Sequence, residues 1–340
     1  FAYFAATEGT VYGRQIEFVS RDTGLSANGN RSAYLDACDQ AFAAVGSMSA
    51  FEEGAAEPIQ GCGIPDLRNI ATSKPLQDTS NSLGVDALRS GEIPLSEWTF
   101  YKERFPDAIT NAGYVLLENS TTIYQTTQNR KGTEKIGYQW NADIRVSTAE
   151  TNYARVVNEL KSKDIQFVAF QGAYQQASRL VDAMHQQGYA PKALALQANI
   201  YTPDLIATCG EKCEDFVFVA QTGALIEEID SNPELQTYAE WLARINPRAR
   251  PTGLGMYSWS AAKLFVESLK AIGPEPTRAK LLEHLGTVTD YEGGGLIPPQ
   301  DVASQQPTDC IIMLDIEGGQ FVREEPAQGY RCREAPGTVG

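Results

Sequence analysis

Residues 165–187 read IQFVAFQGAYQQASRLVDAMHQQ and place a short apolar run directly before an amphipathic helix. An unbroken apolar run such as Ile165–Phe170 is typical of a strand that is covered on both faces, and the helix Gln175–Gln187 provides one cover. The alternation recurs along the chain, with strands predicted at Gln15–Val19, Phe42–Gly46, Ile64–Leu67, Gly113–Leu117, Ile136–Trp140, Ala193–Leu196, Phe216–Ala220 and Ile311–Asp315. Repeated strand–helix units predict doubly wound parallel sheets in an α/β protein.

Length and charge limit the possible classes of protein. The chain has 340 residues, which favours two lobes over one domain. Its net charge of −15 argues against nucleic acid or an anionic lipid surface as a partner. No apolar run approaches the roughly 18 residues that a membrane span needs.

Six cysteines are compatible with free thiols, a zinc site or disulfides. Zinc sites favour closely spaced cysteine pairs or nearby histidines, and the two histidines, His185 and His284, lie far from any cysteine in the sequence. We therefore expect disulfides and an oxidising compartment. The positions relative to the predicted elements favour the pairs Cys38–Cys62, Cys209–Cys213 and Cys310–Cys332.

Motifs for catalysis are sparse. The sequence has no GxSxG, phosphate-binding-loop or HExxH pattern, so we expect no enzyme, no metal and no cofactor. His185 lies in a polar helical stretch, which favours a surface position.

Loops that follow predicted strands are better candidates for binding. In doubly wound sheets, ligands lie beyond the carboxyl ends of the strands, where loops and helix N-termini offer free N–H groups. Ser47–Phe51 follows the strand at Phe42–Gly46, and Arg68–Thr72 follows Ile64–Leu67. Farther along, Gln171–Tyr174 and Gln197–Tyr201 also follow strands. Ser49 and Thr72 have the alternative role of capping helices.

The chain resembles the type I periplasmic binding proteins of branched-chain amino-acid ABC importers. The resemblance is carried, in family order, by Gly13–Asp22, Phe42–Gly46, Lys163–Tyr189, Tyr257–Ala262, Asp290–Gly293 and Asp315–Val322. It implies two α/β lobes joined by a three-segment hinge, with residues 1–118 plus 252–302 in one lobe and 119–251 plus 303–340 in the other. It also implies a strand–loop–helix stretch of about 30 residues upstream of Phe1.

The family implies a monomeric, extracytoplasmic protein that captures a small molecule by hinge closure and delivers it to ABC permease subunits. The upstream stretch could carry a lipid anchor. A sensory receptor's ligand-binding domain shares the fold, and an extracellular α/β enzyme is the remaining alternative.

The resemblance places the ligand between the lobes, on Ser49, Ala50, Phe51, Ile70, Ala71, Thr72, Tyr124, Tyr174, Asn199 and Tyr257. Loops of the first lobe would hold a carboxylate or other acceptor through hydroxyl and backbone N–H groups. The family's acidic partner for an ammonium group falls on Ala198, so a standard amino acid is not expected. An amino-acid-like molecule or a small, possibly aromatic, carboxylate is expected instead, and the aromatic residues around it would include Tyr201 and Trp259. Arg68 would pair with a surface acid or with the ligand.

Overall fold

The computed structural model describes residues 1–333 and 335–339, and the chain divides into two compact units. The first unit comprises Phe1–Ser90 and Glu228–Thr308, and the second comprises Gly91–Glu227 and Asp309–Gly340. These bounds differ from the expected lobes, 1–118 plus 252–302 and 119–251 plus 303–340. The strand Ala112–Leu117, expected in the first lobe, pairs with strands of the second unit. Residues 228–251, expected in the second lobe, lie in the first unit, where Glu234 accepts a hydrogen bond from Trp259.

The first unit is built on a parallel sheet in the order β1 (Ala44–Val45), β2 (Asp66–Ile70) and β3 (Ser82–Asp86). Its helices are α1 (Ala2–Thr7), α2 (Ala27–Gln40), α3 (Ala56–Cys62), α4 (Lys74–Gln77), α10 (Pro233–Ile245), α11 (Gly253–Ile272) and α12 (Arg278–Leu285). The amide of Asn69 on β2 donates to the carbonyl of Leu254 at 2.7 Å, which ties α11 to the sheet. No helix within the described residues is long and apolar enough to cross a membrane, α11 included.

Two strands of the first unit differ from the sequence prediction. The predicted strand Gln15–Val19 is unpaired in the described structure and lines a cavity of about 910 Å³ beside β1. Its alternating pattern is compatible with a strand, but a strand also needs a neighbouring backbone to pair with. Conversely, β3 was not predicted, because SLGVD is short and contains a glycine.

The second unit contains a larger, mixed sheet. Its strands are β5 (Ala112–Leu117), β6 (Trp140–Val146), β7 (Phe167–Gln171), β8 (Ala193–Gln197), β9 (Val217–Gln221), β10 (Cys310–Glu317), β11 (Gln320–Glu325) and β12 (Arg331–Cys332). They run in the order β11-β10-β9-β8-β7-β5-β6, and β12 pairs with β10. The strands from β5 to β9 are parallel, as expected, whereas β10 pairs antiparallel with β9.

Helices and a small ribbon complete the second unit. The helices are α5 (Ser96–Arg104), α6 (Ser120–Glu134), α7 (Ala154–Ser162), α8 (Tyr174–Gln186) and α9 (Pro203–Cys209), and the ribbon joins β4 (Glu92–Ile93) to β13 (Gly337–Thr338). An aromatic cluster that includes Trp98, Tyr101, Tyr138 and Phe167 fills the space between α5 and the sheet. The α/β fold expected from the strand–helix alternation is therefore confirmed.

All six cysteines are paired. Cys38–Cys62 joins α2 to the end of α3, with 5.9 Å between the Cα atoms. Cys209–Cys213 closes a short loop after α9 at 5.7 Å, and Cys310–Cys332 joins β10 to β12 at 4.0 Å. These are the three pairs expected from the sequence.

Candidate functional site

The loops after β1 and β2 lie along one edge of the first sheet, because the two strands are parallel neighbours. This edge brings together residues that the sequence analysis took from separate loops: Ser49, Ala50, Phe51, Ile70, Ala71 and Thr72. Ala50 is exposed and Ala71 is buried, while the others are partly buried. The hydroxyl of Ser49 accepts a hydrogen bond from the N–H of Phe51 at 3.2 Å, so it closes a local turn.

Glu52 engages one of the backbone N–H groups that the sequence analysis assigned to a ligand, that of Thr72. Its Oε1 accepts hydrogen bonds from the backbone N–H groups of Thr72 at 2.5 Å and Ser73 at 2.6 Å. Glu52 is 1% exposed. The N–H of Thr72 is therefore engaged by the chain's own carboxylate and does not donate to an anionic group of the ligand.

Arg68 forms an ion pair with the carboxylate of Glu52. Its Nη2 lies 3.1 Å from Glu52 Oε2, its Nη1 lies 3.4 Å from Asp66 Oδ2, and the guanidinium is fully buried. Burial acts to lower the pKa of Arg68, but Glu52 and Asp66 outweigh burial and raise it. Arg68 thus pairs with two buried acids, neither of them the expected surface acid or ligand.

Asp66 is held by further donors. The hydroxyl of Tyr34 donates to Asp66 Oδ1 at 2.7 Å, and the hydroxyl of Ser82 donates to Oδ2 at 2.8 Å. These bonds satisfy the buried carboxylate of Asp66, which shares the guanidinium of Arg68 with Glu52. Glu52, Arg68 and Asp66 therefore form one buried network, which fixes the loop after β1 against β2.

Asp86 ends β3 at the same edge. Its Cα is the register partner of Ile70 in the parallel pairing of β2 and β3, so both side chains lie on one face of the sheet. Burial raises the pKa of Asp86 to about 7. Among the described residues, Asp86 makes no ion pair or side-chain hydrogen bond. A partly buried carboxylate without a cation is a costly arrangement that a cationic or hydrogen-bond-donating ligand would relieve.

The second unit has a comparable edge at the ends of β7 and β8. Tyr174 is the first residue of α8, just after β7, and is partly buried. Asn199, in the loop after β8, donates from Nδ2 to the carbonyl of Gly172 at 2.8 Å and so joins the two loops. Tyr124 lies in α6 next to Gln125, whose Oε1 accepts from Gln171 Nε2 at 2.9 Å. Tyr124, Tyr174 and Asn199 therefore belong to neighbouring elements of this unit.

Three aromatic residues that were expected to contact the ligand are engaged in contacts within their own unit or are buried. The hydroxyl of Tyr201 bonds to Glu227 and accepts from the N–H of Ile226 at 2.8 Å, and its ring packs on Phe321, so it is a core residue of the second unit. Tyr257, in α11 of the first unit, is only 2% exposed. Trp259 donates from Nε1 to Glu234 at 2.7 Å within the first unit.

The histidines take part in ordinary structural contacts. His185 Nε2 lies 2.5 Å from the carbonyl oxygen of Lys212, and its ring packs on Phe216. His284 lies in the last turn of α12. Within the described ranges, no group of three or more His, Cys, Asp or Glu side chains is arranged to hold a metal ion.

Glu52 and Asp86 are the residues of this edge that the sequence analysis missed. Glu52 lies in the polar stretch Phe51-Glu-Glu-Gly54, which is typical of a solvated helix start. Asp86 lies in the strand that was not predicted. The one signal in the sequence applies to Glu52, which is a charged residue directly after the loop that follows a predicted strand.

Comparisons with known proteins give a consistent result. The family described as "Periplasmic binding protein" matches residues 1–320. No curated protein sequence matches the chain. Similar solved structures include a fatty acid ABC transporter substrate-binding protein from Thermomonospora curvata, which is 17% identical, with a TM-score of 0.82 and coverage of 98% of this chain and 86% of that one.

Two further structures are similar to a comparable degree. A branched-chain amino acid ABC transporter protein from Thermus thermophilus with bound valine is 14% identical, with a TM-score of 0.79 and coverage of 97% of this chain and 89% of that one. A leucine-binding protein from Thermotoga maritima is 14% identical, with a TM-score of 0.77 and coverage of 94% and 90%. Likeness at these identities shows a shared fold.

Proposed function

Since the chain belongs to the periplasmic binding protein family, we propose that it is the extracytoplasmic substrate-binding component of an ABC importer. A solute-binding role follows from the family match over residues 1–320, which is the observation that carries the proposal. The similar structures named for fatty acid and branched-chain amino acid transport support an importer. The partners are then a small organic solute and the permease subunits that receive it.

The loop edges of the two sheets are the proposed binding surfaces. The first unit contributes Ser49, Ala50, Phe51, Ile70, Ala71 and Thr72, with Tyr257 behind them. The second unit contributes Tyr124, Tyr174 and Asn199. Support comes from the grouping of these residues at the carboxyl ends of parallel strands, where α/β proteins bind ligands. Tyr257 supports the site through packing, since it is buried.

Binding without chemical conversion is the proposed mode of action. The family and the similar structures are binding proteins. A binding protein needs only a ligand-dependent shift between conformations, and the shift is limited by the difference in affinity for the two states. The protein is proposed to act as a monomer.

Mass spectrometry of the purified protein tests this function most directly. The protein is expressed in a rich medium, purified without added ligand, and denatured to release any bound small molecule. We expect one dominant compound in a near 1:1 ratio, and the same compound added back to ligand-free protein should raise its melting temperature. Recovery of a chemically altered product after incubation with the compound would contradict the proposal.

A further inference from the structure

We infer that the first unit receives a nitrogen group of the ligand that donates hydrogen bonds, an ammonium or a carboxamide, and rejects a carboxylate. The inference rests on the proposed solute-binding function and names the chemistry of its ligand. It reverses the sequence-based expectation of a small carboxylate, and it is carried by Glu52 and Asp86.

Two backbone donors that a ligand carboxylate would use are already engaged. Glu52 Oε1 accepts from the N–H groups of both Thr72 and Ser73. Glu52 is almost fully buried and is held by Arg68, so it is a fixed part of the fold. A ligand carboxylate brought to this edge would find a desolvated negative charge in the place of two donors.

Asp86 adds an acceptor to the same edge. It stands in register beside Ile70, which is one of the proposed ligand-binding positions. Its carboxylate has no partner among the described residues and is partly buried. The basic residue that follows Thr72 by two positions, Lys74, is paired with Asp78 and is not needed by Asp86. An ammonium or amide N–H is the group that would satisfy Asp86.

The second unit does not reverse this preference. At its loop edge, Gln171, Tyr174, Ala198 and Asn199 carry no formal charge, and Glu118, which directly follows β5, is acidic. The uncharged residues can accept and donate neutral hydrogen bonds or provide an aromatic face. These residues therefore offer no cation to a ligand carboxylate.

Two matched series of compounds test the preference by isothermal titration calorimetry. Isovalerate, isovaleramide and isopentylamine share a five-carbon skeleton, and benzoate, benzamide and benzylamine share a seven-carbon skeleton. In at least one series, we expect the amine or the amide to bind at least about tenfold more tightly than the carboxylate. A carboxylate that binds as tightly as its amide and amine would overturn the inference.

The variant Asp86→Asn tests whether Asp86 causes the preference for a nitrogen group. We expect it to weaken amine binding by about tenfold while changing amide binding less, since Asn keeps a hydrogen-bonding oxygen but loses the charge. Asp107→Asn, at an exposed loop position of the second unit, is the matched control and should leave both affinities unchanged. Equal affinities in wild type and Asp86→Asn would remove Asp86 from the inference.

Chemical rescue tests the internal carboxylate without knowledge of the natural ligand. Glu52→Ala leaves Arg68 and two N–H groups without their acceptor, so the melting temperature should fall by an amount on the order of 10 °C. At equal ionic strength, millimolar propionate should restore several degrees, and propionamide should not. Wild type and Glu57→Ala, which loses an exposed acid, should be insensitive to propionate. If Glu52→Ala does not fold alone, the soluble yield after refolding with propionate or propionamide gives the same comparison.

The two experiments separate the inference from the proposed function. Propionate that stabilises wild type as much as Glu52→Ala, or that fails to stabilise the variant, would show that Glu52 does not occupy an anion site. Rescue combined with no bound small molecule in the purified protein would retain the occupied site and reject the solute-binding proposal. If none of the six compounds binds, the inference is tested by the propionate rescue of Glu52→Ala alone, and failure of that rescue would overturn it.

Discussion

The carboxylate of Glu52 lies 3.1 Å from the guanidinium of Arg68, and both side chains are only 1% exposed. A buried ion pair has little net effect on stability when both partners are present, because desolvation offsets the attraction. Removal of one partner leaves an uncompensated charge in the interior. The pair is therefore best understood as a device that fixes the loop after β1 in one conformation.

This ion pair predicts that the single variant Arg68→Met loses more stability than the double variant that also carries Glu52→Gln. Arg68→Met should lower the free energy of unfolding by about 3–5 kcal/mol, because Glu52 and Asp66 both lose their cation. Adding Glu52→Gln to Arg68→Met should restore part of the loss. Urea denaturation measures both, with Arg31→Ala as the control, since the exposed pair of Arg31 with Glu57 should contribute no more than about 1 kcal/mol. Strict additivity of the two variants would contradict a direct interaction.

Glu97 predicts a specific pH dependence. Burial raises the pKa of Glu97 from its ordinary value of about 4.5 to about 8, so the folded state prefers the protonated acid. Below pH 4.5 Glu97 does not affect the free energy of unfolding. As the pH rises from 4.5 to about 8, Glu97 lowers the free energy of unfolding progressively, and above about pH 8 the loss is constant. Glu97→Gln should therefore be more stable than wild type by more than about 1 kcal/mol at pH 8 and equal to it near pH 4. A difference that does not change with pH, or one also found for the exposed Glu134→Gln, would count against it.

The disulfides should differ in their contribution according to loop length. Cys38–Cys62 spans 24 residues in sequence and Cys209–Cys213 spans 4. Chain entropy then gives about 3.5 kcal/mol for the longer loop and about 2 kcal/mol for the shorter one. Paired Cys→Ala variants, measured by guanidinium denaturation, should follow that order. The reverse order would mean that local packing, and not loop closure, decides the contribution.

Tyr174 should affect binding more than folding. It is the first residue of α8 and is partly exposed at the loop edge of the second unit. Tyr174→Ala should weaken binding of the released ligand by at least about tenfold, or about 1.4 kcal/mol, with a small change in melting temperature. Tyr12→Ala, at a tyrosine that is 56% exposed in the first unit, is the matched control. Unchanged affinity in Tyr174→Ala would remove this residue from the proposed site.

Two glycine substitutions test the packing of helices. A Cβ at Gly132 in α6 would lie 2.3 Å from Ile93 Cδ1, whereas one at Gly61 in α3 meets nothing within 4 Å. Gly132→Ala should therefore cost about 1–3 kcal/mol through overpacking. Gly61→Ala should stabilise the helix by up to about 1 kcal/mol. Thermal unfolding of the two variants gives the comparison, and equal melting temperatures would falsify the close approach of α6 to β4.

The sequence by itself determined the α/β class, the strands β5, β7, β8 and β9 with the helices α6 to α8, and the pairing of the cysteines; it placed β6 too early, at Ile136–Trp140 instead of Trp140–Val146, and it did not predict α9. Those features depend on local patterns: an apolar run such as Phe167–Gln171 followed by the amphipathic α8 specifies a strand and its covering helix from neighbouring residues. The family resemblance added the loops where a ligand is expected.

Tertiary structure decided the role of the charged groups. Glu52 and Thr72 are separated by 20 positions, and nothing in either local segment shows that the carboxylate bonds to the distant N–H. Asp86 becomes relevant only because β3 places it in register beside Ile70. Hydrophobic periodicity specifies which face of an element is buried, but the identity of the group that meets it depends on how strands are ordered in the sheet. That order placed Glu52 against the N–H of Thr72, one of the groups that was expected to hold a ligand carboxylate.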